Sequence, residues 1–486
     1  MIMTQEQAFL KAQTDLQTLV AFVRQAAEEE QRIDQVERHL LAQLLRLGLV
    51  LLEGFVAEHG DGDQGEAVAG ADGSRLRRLP EAHVRRYQSI FGELSIRRYV
   101  YGSREGQKIE SVPLDAALGL PAGDFSYVVE DWAQRLCVHE SFAEAVATLN
   151  HLLGLRPSVR SLEAMNRALA ESAPALTDAQ PPPPAREEEP LLVVTADGKG
   201  VPMRKPRPAG PRRSPRRGKG EKANQKQMAT VGAVYTIAPY VRTVDDVVEE
   251  LQRTARARER PAPCHKEVWA EMTCVVDDEV CNGRVTLFDR LADRAARRNP
   301  DGRKPVICLL DGERALWEAR AEYFPDSVGI LDLFHVLEKL WTAAHCFHAE
   351  GSRAAADFVN ERLRMLLEGK VGYVIGGLRQ MRTKRGLSGA KRKTLQTVIT
   401  YYENNRAHMK YDAYLAAGYP IGSGVAEGAC RHLVKDRLER TGMRWTVEGA
   451  QAMLYLRALY LNGDWETFLE YRIAREQKEL YALPAA

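Results

Sequence analysis

The chain has few cysteines, and they follow no metal-binding or disulfide pattern. Its 486 residues include seven cysteines, an odd number, and no Cys-x-x-Cys pair occurs. Neither a disulfide framework nor a zinc ribbon is therefore predicted, and a reduced compartment fits best. Cys264, His265, Cys274 and Cys281 are spaced too irregularly for a zinc finger, so we interpret them as structural.

Long apolar runs and an excess of one charge are also missing. The most apolar early stretch, 40–56, is interrupted by Gln43, Arg46 and Glu53, short of the roughly 18 uninterrupted apolar residues of a membrane span. The first residues lack the design of a signal peptide. We therefore expect a cytoplasmic protein without membrane contact. Because 68 Lys and Arg balance 66 Asp and Glu, a polyanion would have to be bound by local basic patches.

The remaining composition is that of a multidomain globular protein. Apolar residues make up 45% and charged residues 28% of the chain, and its length suits two to four domains. Four consecutive prolines mark the clearest boundary. The predicted organisation is N-terminal helices (1–60), a β-hairpin with a helix-turn-helix-like region (80–175), a Pro-rich linker (176–190), a first catalytic part (191–335), a helical insertion (336–415) and a second catalytic part with the C-terminal helices (416–486).

The N-terminal part is predicted to be mainly helical. Apolar spacing predicts helix throughout 4–58, followed by a loop or tether at 60–73 and a β-hairpin at 84–101 that turns at Gly92. Two later helices are joined by a short turn at Gly154, and Ser158 is a good N-cap for the second. That helix would offer Arg160, Asn166 and Arg167 to a DNA groove. An ordinary helical hairpin that binds no DNA is the alternative.

The part after the linker is predicted to be an α/β domain with mixed strands. Short apolar runs indicate buried strands at 191–198, 228–237, 306–310 and 328–331, and helical stretches at 244–258, 285–298 and 313–323 alternate with them. Asp197 ends the first of these strands and Asp311 the third. Glu427 lies in the first turn of a helix predicted over 425–440.

Those three carboxylates are the candidate catalytic residues. Acidic side chains at the carboxyl edge of a sheet lie where α/β active sites gather, and their mutual repulsion calls for a cation. Oxygen ligands suit Mg²⁺ or Mn²⁺, and two such ions about 3.5–4 Å apart clamp a phosphodiester for in-line displacement. The alternative is that Asp-Gly is a turn dipeptide and that Glu427 merely complements a helix dipole.

Basic residues near these carboxylates suggest a nucleic-acid substrate. Segment 204–226 is rich in Arg and Lys between two predicted strands, and Arg431 and Lys435 follow Glu427 on one predicted helix face. A ladder of structural Glu–Arg pairs is the alternative for that helix. The candidate DNA-binding residues beside the catalytic part are Lys199, Arg204, Lys205, Arg212, Arg213, Arg431, Lys435, Arg440, Arg444 and Trp445. His335 follows Asp332 near another strand end and could orient a phosphate or a metal-bound water.

Five segments together resemble the ISKra family of bacterial insertion-sequence transposases, over about residues 84–461. They are TADGKGVPMRK (195–205), ATVGAVYTIAPYVRT (229–243), LLDGERALW (309–317), LDLFHVLEKLW (331–341) and PIGSGVAEGACRHLVKDRLERTGMRW (420–445). The resemblance implies a ribonuclease H-like catalytic domain with a helical insertion before the Glu of a DDE triad. Asp197, Asp311 and Glu427 match that triad, and Asp332 and His335 match the accessory Asp-x-x-His segment.

One feature of many relatives is missing from this chain. They carry paired cysteines after the hairpin, where segment 99–115 has none, so a zinc-stabilised N-terminal module is not expected.

The resemblance predicts a DNA transposase that cleaves element ends and joins the 3′ ends to target DNA with two Mg²⁺ or Mn²⁺ ions and no nucleotide cofactor. Joining two ends of double-stranded DNA makes a homodimer or higher oligomer the expected assembly, with 4–58 as a candidate interface. A non-catalytic, transposon-derived DNA-binding protein and a nuclease of the same fold without strand transfer are the competing functions.

Overall fold

The computed structural model describes residues 5–70, 73–103, 109–204, 226–252, 260–276, 279–440 and 442–481. The chain divides into two compact units. The first comprises Met1–Ser172 and Asp464–Ala486, and the second comprises Ala173–Gly463.

The first unit opens with a pair of antiparallel helices, α1 (Gln5–Glu28) and α2 (Ile33–Glu58). The Phe22 ring contacts the His39 ring at a tilt of 33°, and the Phe9 ring lies against Gly54, as expected of an antiparallel pair. The prediction of unbroken helix over 4–58 is wrong at 29–32, where Glu30 adopts a φ of +49°. Among the described helices, α2 is the one long and apolar enough to cross a membrane by length and composition, a criterion that core helices also meet.

Short strands follow: β1 (Ala67–Ala69), β2 (Arg75–Arg78), β3 (His83–Ser89), β4 (Gly92–Arg98) and β5 (Tyr101–Gly102). Strands β3 and β4 form the predicted hairpin, and Gly92 begins its second strand with a φ of +140°. Strands β1, β2 and β5 form a separate sheet, so the segment predicted as a loop or tether at 60–73 contains a strand. Leu94 and Ile96 of the hairpin pack with Leu114 in a small core.

A helical group completes the N-terminal run of this unit: α3 (Pro113–Leu118), α4 (Tyr127–Cys137), α5 (Phe142–Leu153) and α6 (Val159–Ala170). Helix α5 ends at Gly154 in the left-handed region, with a φ of +71°, and Ser158 caps α6 by accepting a hydrogen bond from the Ser161 amide. Helices α4, α5 and α6 all contact one another, so α6 buries one side and exposes the other.

The second unit is built on a mixed five-stranded sheet. Its first elements are α7 (Ala173–Ala179), β6 (Leu191–Pro202), β7 (Lys226–Ile237), α8 (Val244–Gln252), β8 (Cys264–Met272), β9 (Cys274–Val276), β10 (Glu279–Cys281), α9 (Gly283–Arg298), β11 (Val306–Leu310), α10 (Arg314–Tyr323) and β12 (Val328–Leu331). The strand order is β12-β11-β6-β7-β8; β12, β11 and β6 are parallel, whereas β7 is antiparallel to both β6 and β8.

The predicted α/β class with mixed strands is confirmed, with two local corrections. Strand β8 was missed because its first half, Cys264–Glu267, is polar and offers no apolar run; it lies at the edge of the sheet. The predicted linker at 176–190 overlaps α7, because Leu176 is buried and holds the end of that helix in place.

The rest of the second unit is helical: α11 (Leu333–Ala344), α12 (Arg353–Leu367), α13 (Val371–Lys384), α14 (Gly389–Asn405), α15 (Tyr411–Ala416), α16 (Gly424–Ala429), a π-helical segment (Cys430–Lys435), α17 (Asp436–Leu438) and α18 (Val447–Asn462). Helices α11 to α15 share one large apolar core with the sheet strands β6, β11 and β12. The helical character predicted for 336–415 is therefore present in the fold.

The last helix, α19 (Trp465–Tyr481), groups with the first unit rather than with the sheet, although the sequence assigned it to the second catalytic part. Its Trp465 indole donates a hydrogen bond to Asp131, and Arg472 pairs with Glu130 at 2.7 Å.

Candidate active site

Asp197 lies where strand β6 loses one of its two neighbours. Strand β11 pairs with β6 up to Leu310, opposite Ala196, so Asp197 is the first residue beyond that pairing. The prediction that Asp197 ends the strand is wrong, because β6 continues to Pro202 in antiparallel pairing with β7 alone. The loss of one neighbour exposes the carboxylate at the open edge of the sheet, and the side chain is half-buried there.

Asp311 follows the neighbouring parallel strand directly. Its carboxylate accepts a hydrogen bond of 2.7 Å from the Glu313 amide, which fixes the turn between β11 and α10. Gly312 is required in this turn, since a Cβ atom there would overlap the Tyr401 ring. Burial raises the pKa of Asp311, and the nearby negative charge of Asp197 acts in the same direction.

The third side chain at this edge is His335, in the first turn of α11. That helix is anchored by Asp332, a 2% exposed residue whose carboxylate accepts hydrogen bonds from the amides of Phe334 (2.8 Å) and Ser423 (2.9 Å). Burial raises the pKa of Asp332 to about 6 despite these two bonds. Asp332 thus holds the start of α11, and with it His335, against the segment that leads into α16.

Asp197, Asp311 and His335 form a cluster able to hold a cation. One ligand atom from each lies within 4.8 Å of the other two. We call this group the Asp–Asp–His cluster. Two carboxylates suit Mg²⁺ or Mn²⁺, and the imidazole is a donor that transition metals accept more readily than Mg²⁺ does. The residues therefore fit one divalent cation, and the cluster contains no third carboxylate for the predicted second ion.

Glu427 is outside the Asp–Asp–His cluster but lies close to it. It is exposed in α16, whose start is held by the Ser423 hydroxyl, and that hydroxyl also bonds Thr195 of β6 at 2.9 Å. Cys430, three residues after Glu427, donates its thiol proton to the Asp197 carboxylate at 3.3 Å. Because residues three apart share a helix face, Glu427 is about one helical turn from that contact.

The helix that carries Glu427 is not α-helical throughout, which corrects the prediction for 425–440. Residues Cys430–Lys435 form a π-helical segment between α16 and α17. A π turn contains more residues than an α turn, so the α-helical spacing that was predicted to place Lys435 on the face of Glu427 does not apply across this segment. Both side chains are exposed, and Arg431 lies 3.7 Å from Asp436. Inserted π turns occur frequently at functional sites.

Glu313 is a site residue that the sequence interpretation missed. It precedes α10, and its carboxylate lies so near Gly198 that a Cβ atom there would be 3.6 Å from Oε2. Burial raises the pKa of Glu313, and the charges of Asp311 and Asp197 add to the effect while Arg284 opposes it. The signal was present in the motif Asp-Gly-Glu, since a carboxylate two residues after a strand-end Asp stays at the same edge.

The predicted DNA-binding residues of this unit differ in their exposure to solvent. Arg204 and Arg444 are exposed, while Lys199 and Arg440 are half-exposed. Lys205, Arg212 and Arg213 lie outside the described residues.

Trp445 corrects the prediction of a DNA contact. It is 8% exposed and donates its indole hydrogen to the Leu438 carbonyl at 3.1 Å. Its backbone bridges to Met203 next to Arg204, so Trp445 fastens the end of β6.

In the first unit, the face of α6 that was predicted to read DNA is only partly available. Arg160 and Arg167 are exposed seven residues apart and so share one face of the helix. Asn166 is 1% exposed and donates a hydrogen bond of 2.8 Å to the Gln134 side chain. The prediction for Asn166 is therefore corrected, because a buried amide bonded to a neighbouring helix holds the helices together.

Comparison with known proteins assigns no family. No protein-family model and no curated protein matches the chain. Three chains of solved structures match it, among them one from a Drosophila P element transposase strand transfer complex, with 12% identity, a TM-score of 0.25, and coverage of 74% of this chain and 85% of that chain. A likeness of this strength assigns neither fold nor function, so membership of the ISKra family stays a hypothesis.

Proposed function

We propose that this chain is a metal-dependent DNA transposase with a ribonuclease H-like catalytic domain, which cleaves insertion-sequence ends and transfers their 3′ ends to target DNA. The observation that carries the proposal is the Asp–Asp–His cluster. Asp197 and Asp311 directly follow the last paired residues of the neighbouring parallel strands β6 and β11, and the imidazole of His335 lies within 4.8 Å of both carboxylates. The resemblance of the sequence blocks to ISKra transposases supplies the reaction class.

In this proposal Asp197 and Asp311 bind a Mg²⁺ or Mn²⁺ ion, because both are half-buried carboxylates whose repulsion a cation relieves. A bound divalent ion supplies Lewis acidity, which lowers the pKa of a water molecule and neutralises charge on a phosphate. His335 orients the attacking oxygen or the phosphate. Glu427 is the third carboxylate of the proposed triad and binds a second ion. It is exposed and lies about one helical turn from the contact between Cys430 and Asp197.

Glu313 has a supporting role in the same proposal. Its carboxylate stays near Asp311 and Asp197, and the positive charge of Arg284 partly compensates it. We infer that Glu313 helps to position the cation-binding edge rather than replacing Glu427.

The proposed substrate is double-stranded DNA. The exposed cations Arg204, Arg431, Lys435 and Arg444 follow or flank the catalytic elements, where they would contact phosphates. Arg160 and Arg167 would contact DNA from the first unit, which we propose contains the helix-turn-helix-like region. A cytoplasmic location follows from this substrate in a bacterial cell.

Joining two element ends requires two active sites, so we propose a homodimer formed through α1 and α2. These helices expose Leu10, Leu16, Leu41, Leu44 and Phe55 at 50–66% of their surface, as expected of helices that pack against a second copy. Sedimentation should show a dimer that Leu41→Glu with Leu44→Glu converts to a monomer. A wild-type chain that sediments as a monomer with and without DNA would refute this interface.

The function is tested with labelled DNA that carries the ends flanking the coding sequence, a target plasmid and Mg²⁺. Asp197→Asn and Asp311→Asn should each lower cleavage and joining by orders of magnitude while DNA binding survives, because each keeps its shape and loses the charge that holds the cation. Glu427→Gln should be similarly damaging, whereas Glu313→Gln and His335→Ala should be milder.

The matched control is Glu318→Gln, an exposed glutamate of α10 that pairs with Arg314 and should keep full activity. Cleavage without joining would favour the nuclease alternative, and binding without Mg²⁺-dependent cleavage would favour the non-catalytic one. Normal turnover of Asp311→Asn would refute the assignment of the cluster.

A further inference from the structure

Two cysteines face each other across a small hairpin that links strand β8 to helix α9. Strands β9 and β10 are antiparallel, and their register places Cys274 directly opposite Cys281. Directly opposed residues of an antiparallel pair have Cα atoms about 4.5–5.5 Å apart. Disulfides span Cα distances of about 4.4–6.8 Å, so this pair can be bridged without moving the strands apart.

The two side chains project to the same face of the hairpin, because directly opposed residues of an antiparallel pair share a face and are close neighbours there. Burial, followed by the proximity of Cys281, raises the pKa of Cys274. Cys281 is exposed and Cys274 is half-exposed, so a small reagent can reach the pair from solvent.

The other cysteines have a different setting. Cys137, Cys308, Cys346 and Cys430 are buried, and Cys264 lies on β8 with its thiol directed to the Ala262 carbonyl at 3.8 Å. None of these five occupies a directly opposed cross-strand position with another cysteine in the described pairing. The hairpin pair is therefore distinguished by its register, its mutual orientation and its access to solvent.

We propose that Cys274 and Cys281 are a thiol–disulfide modification site that reacts with low-molecular-weight disulfides of the glutathione class. The thiolate of exposed Cys281 attacks one sulfur of the small disulfide, forming a mixed disulfide and releasing one small thiol. The Cys274 thiol then loses its proton and attacks the Cys281 sulfur, and the second small thiol leaves with that proton. Two protein thiols are oxidised to one disulfide while one small disulfide is reduced to two thiols.

This site does not depend on the proposed transposase function, because it requires only the hairpin and a redox buffer. The experiment equilibrates the folded full-length chain with oxidised and reduced glutathione in varied ratio, quenches with acid, alkylates free thiols and locates modified cysteines by peptide mass spectrometry. We expect loss of two alkylatable thiols, both in the hairpin, and their return on treatment with dithiothreitol.

Single variants separate the two steps. Cys274→Ser should accumulate one glutathione on Cys281, because the resolving thiol is gone, whereas Cys264→Ser should behave like the wild type. Circular dichroism before and after oxidation verifies that each protein stays folded.

Three outcomes would overturn the proposal. The first is a folded wild-type chain that keeps all its thiols at every ratio. The second is oxidation that appears only as concentration-dependent linkage between chains. The third is a Cys274→Ser variant that takes up no glutathione.

Discussion

Replacing Trp445 by Ala is expected to destabilise the second unit rather than to remove a DNA contact. The indole is 8% exposed, donates a hydrogen bond to the Leu438 carbonyl and lies under the Arg437 guanidinium, 5.0 Å from the ring centroid. Its backbone also accepts from the Arg204 amide at 2.8 Å and donates to the Pro202 carbonyl at 3.0 Å. The ring is therefore buried against the segment 437–438, while the backbone of Trp445 is bonded to the end of β6.

The size of the effect follows from these contacts. Truncating a buried Trp to Ala costs about 3–5 kcal/mol of unfolding free energy, a large part of the roughly 5–15 kcal/mol available to a folded domain. Trp445→Phe keeps most of the buried ring but leaves the Leu438 carbonyl without its donor, so we expect a loss of about 1–2 kcal/mol.

Urea unfolding followed by far-ultraviolet circular dichroism measures these losses, and DNA affinity is compared at a temperature at which each variant is folded. Arg444→Ala is the matched control, because this neighbouring side chain is exposed. It should change stability by less than about 0.5 kcal/mol and reduce the salt dependence of DNA binding by about one phosphate contact. A stable Trp445→Ala variant that binds DNA poorly would contradict the reasoning and restore Trp445 as a DNA contact.

Two further predictions concern the first unit. Asn166→Ala should lower the stability of this unit by about 1–3 kcal/mol, because the buried Gln134 side-chain oxygen loses the hydrogen bond that Asn166 donates to it. It should leave DNA preference unchanged, whereas exposed Arg167→Ala should weaken DNA binding at wild-type stability. Loss of preference in a stable Asn166→Ala variant would contradict this. Burial, followed by the charge of Glu476, raises the pKa of Glu130 from 4.5 to about 7 although Arg472 lowers it. The folded state then binds more protons than the unfolded state between these values, so unfolding free energy should fall as pH rises through that window, by up to about 3 kcal/mol. Glu130→Gln should flatten this pH dependence. If the melting temperature falls from pH 5 to pH 8 by the same amount in the variant and in the wild type, the assignment to Glu130 is refuted.

The strands that carry the aspartates could be predicted because their signal is local. Buried parallel strands are runs of apolar β-branched residues, and a charged residue can follow such a run only at its end, where solvent or a ligand is reached. The side-by-side pairing of β6 and β11 is consistent with that pattern. The capping of α6 by Ser158 could be predicted for a similar reason, because a helix N-cap is also a local signal. Strand β8 has no such apolar run in its polar first half. It lies at the edge of the sheet, where polar residues can remain in contact with solvent.

The environment of individual side chains could not be predicted in the same way. Trp445 and Asn166 each lie among exposed residues and look like DNA contacts in the sequence. Both are buried, and each is bonded to a segment distant along the chain: the backbone of Trp445 to the end of β6, and the Asn166 side chain to α4. The approach of Glu313 to Asp197 likewise depends on two strands meeting side by side, and the π-helical segment after α16 interrupts a face that sequence spacing alone would continue.

The sequence by itself thus determined the α/β class, the apolar runs that lead to Asp197 and Asp311, and the helical block after them, since periodicity and turn chemistry act between residues close along the chain. Only the tertiary structure decided which side chains meet: His335 joins Asp197 and Asp311, Glu427 stays outside their cluster, and Cys281 faces Cys274. Those side-chain contacts depend on strand order, register and helix packing, which the burial of apolar surface from distant parts of the chain selects. A linear pattern of residues does not specify them.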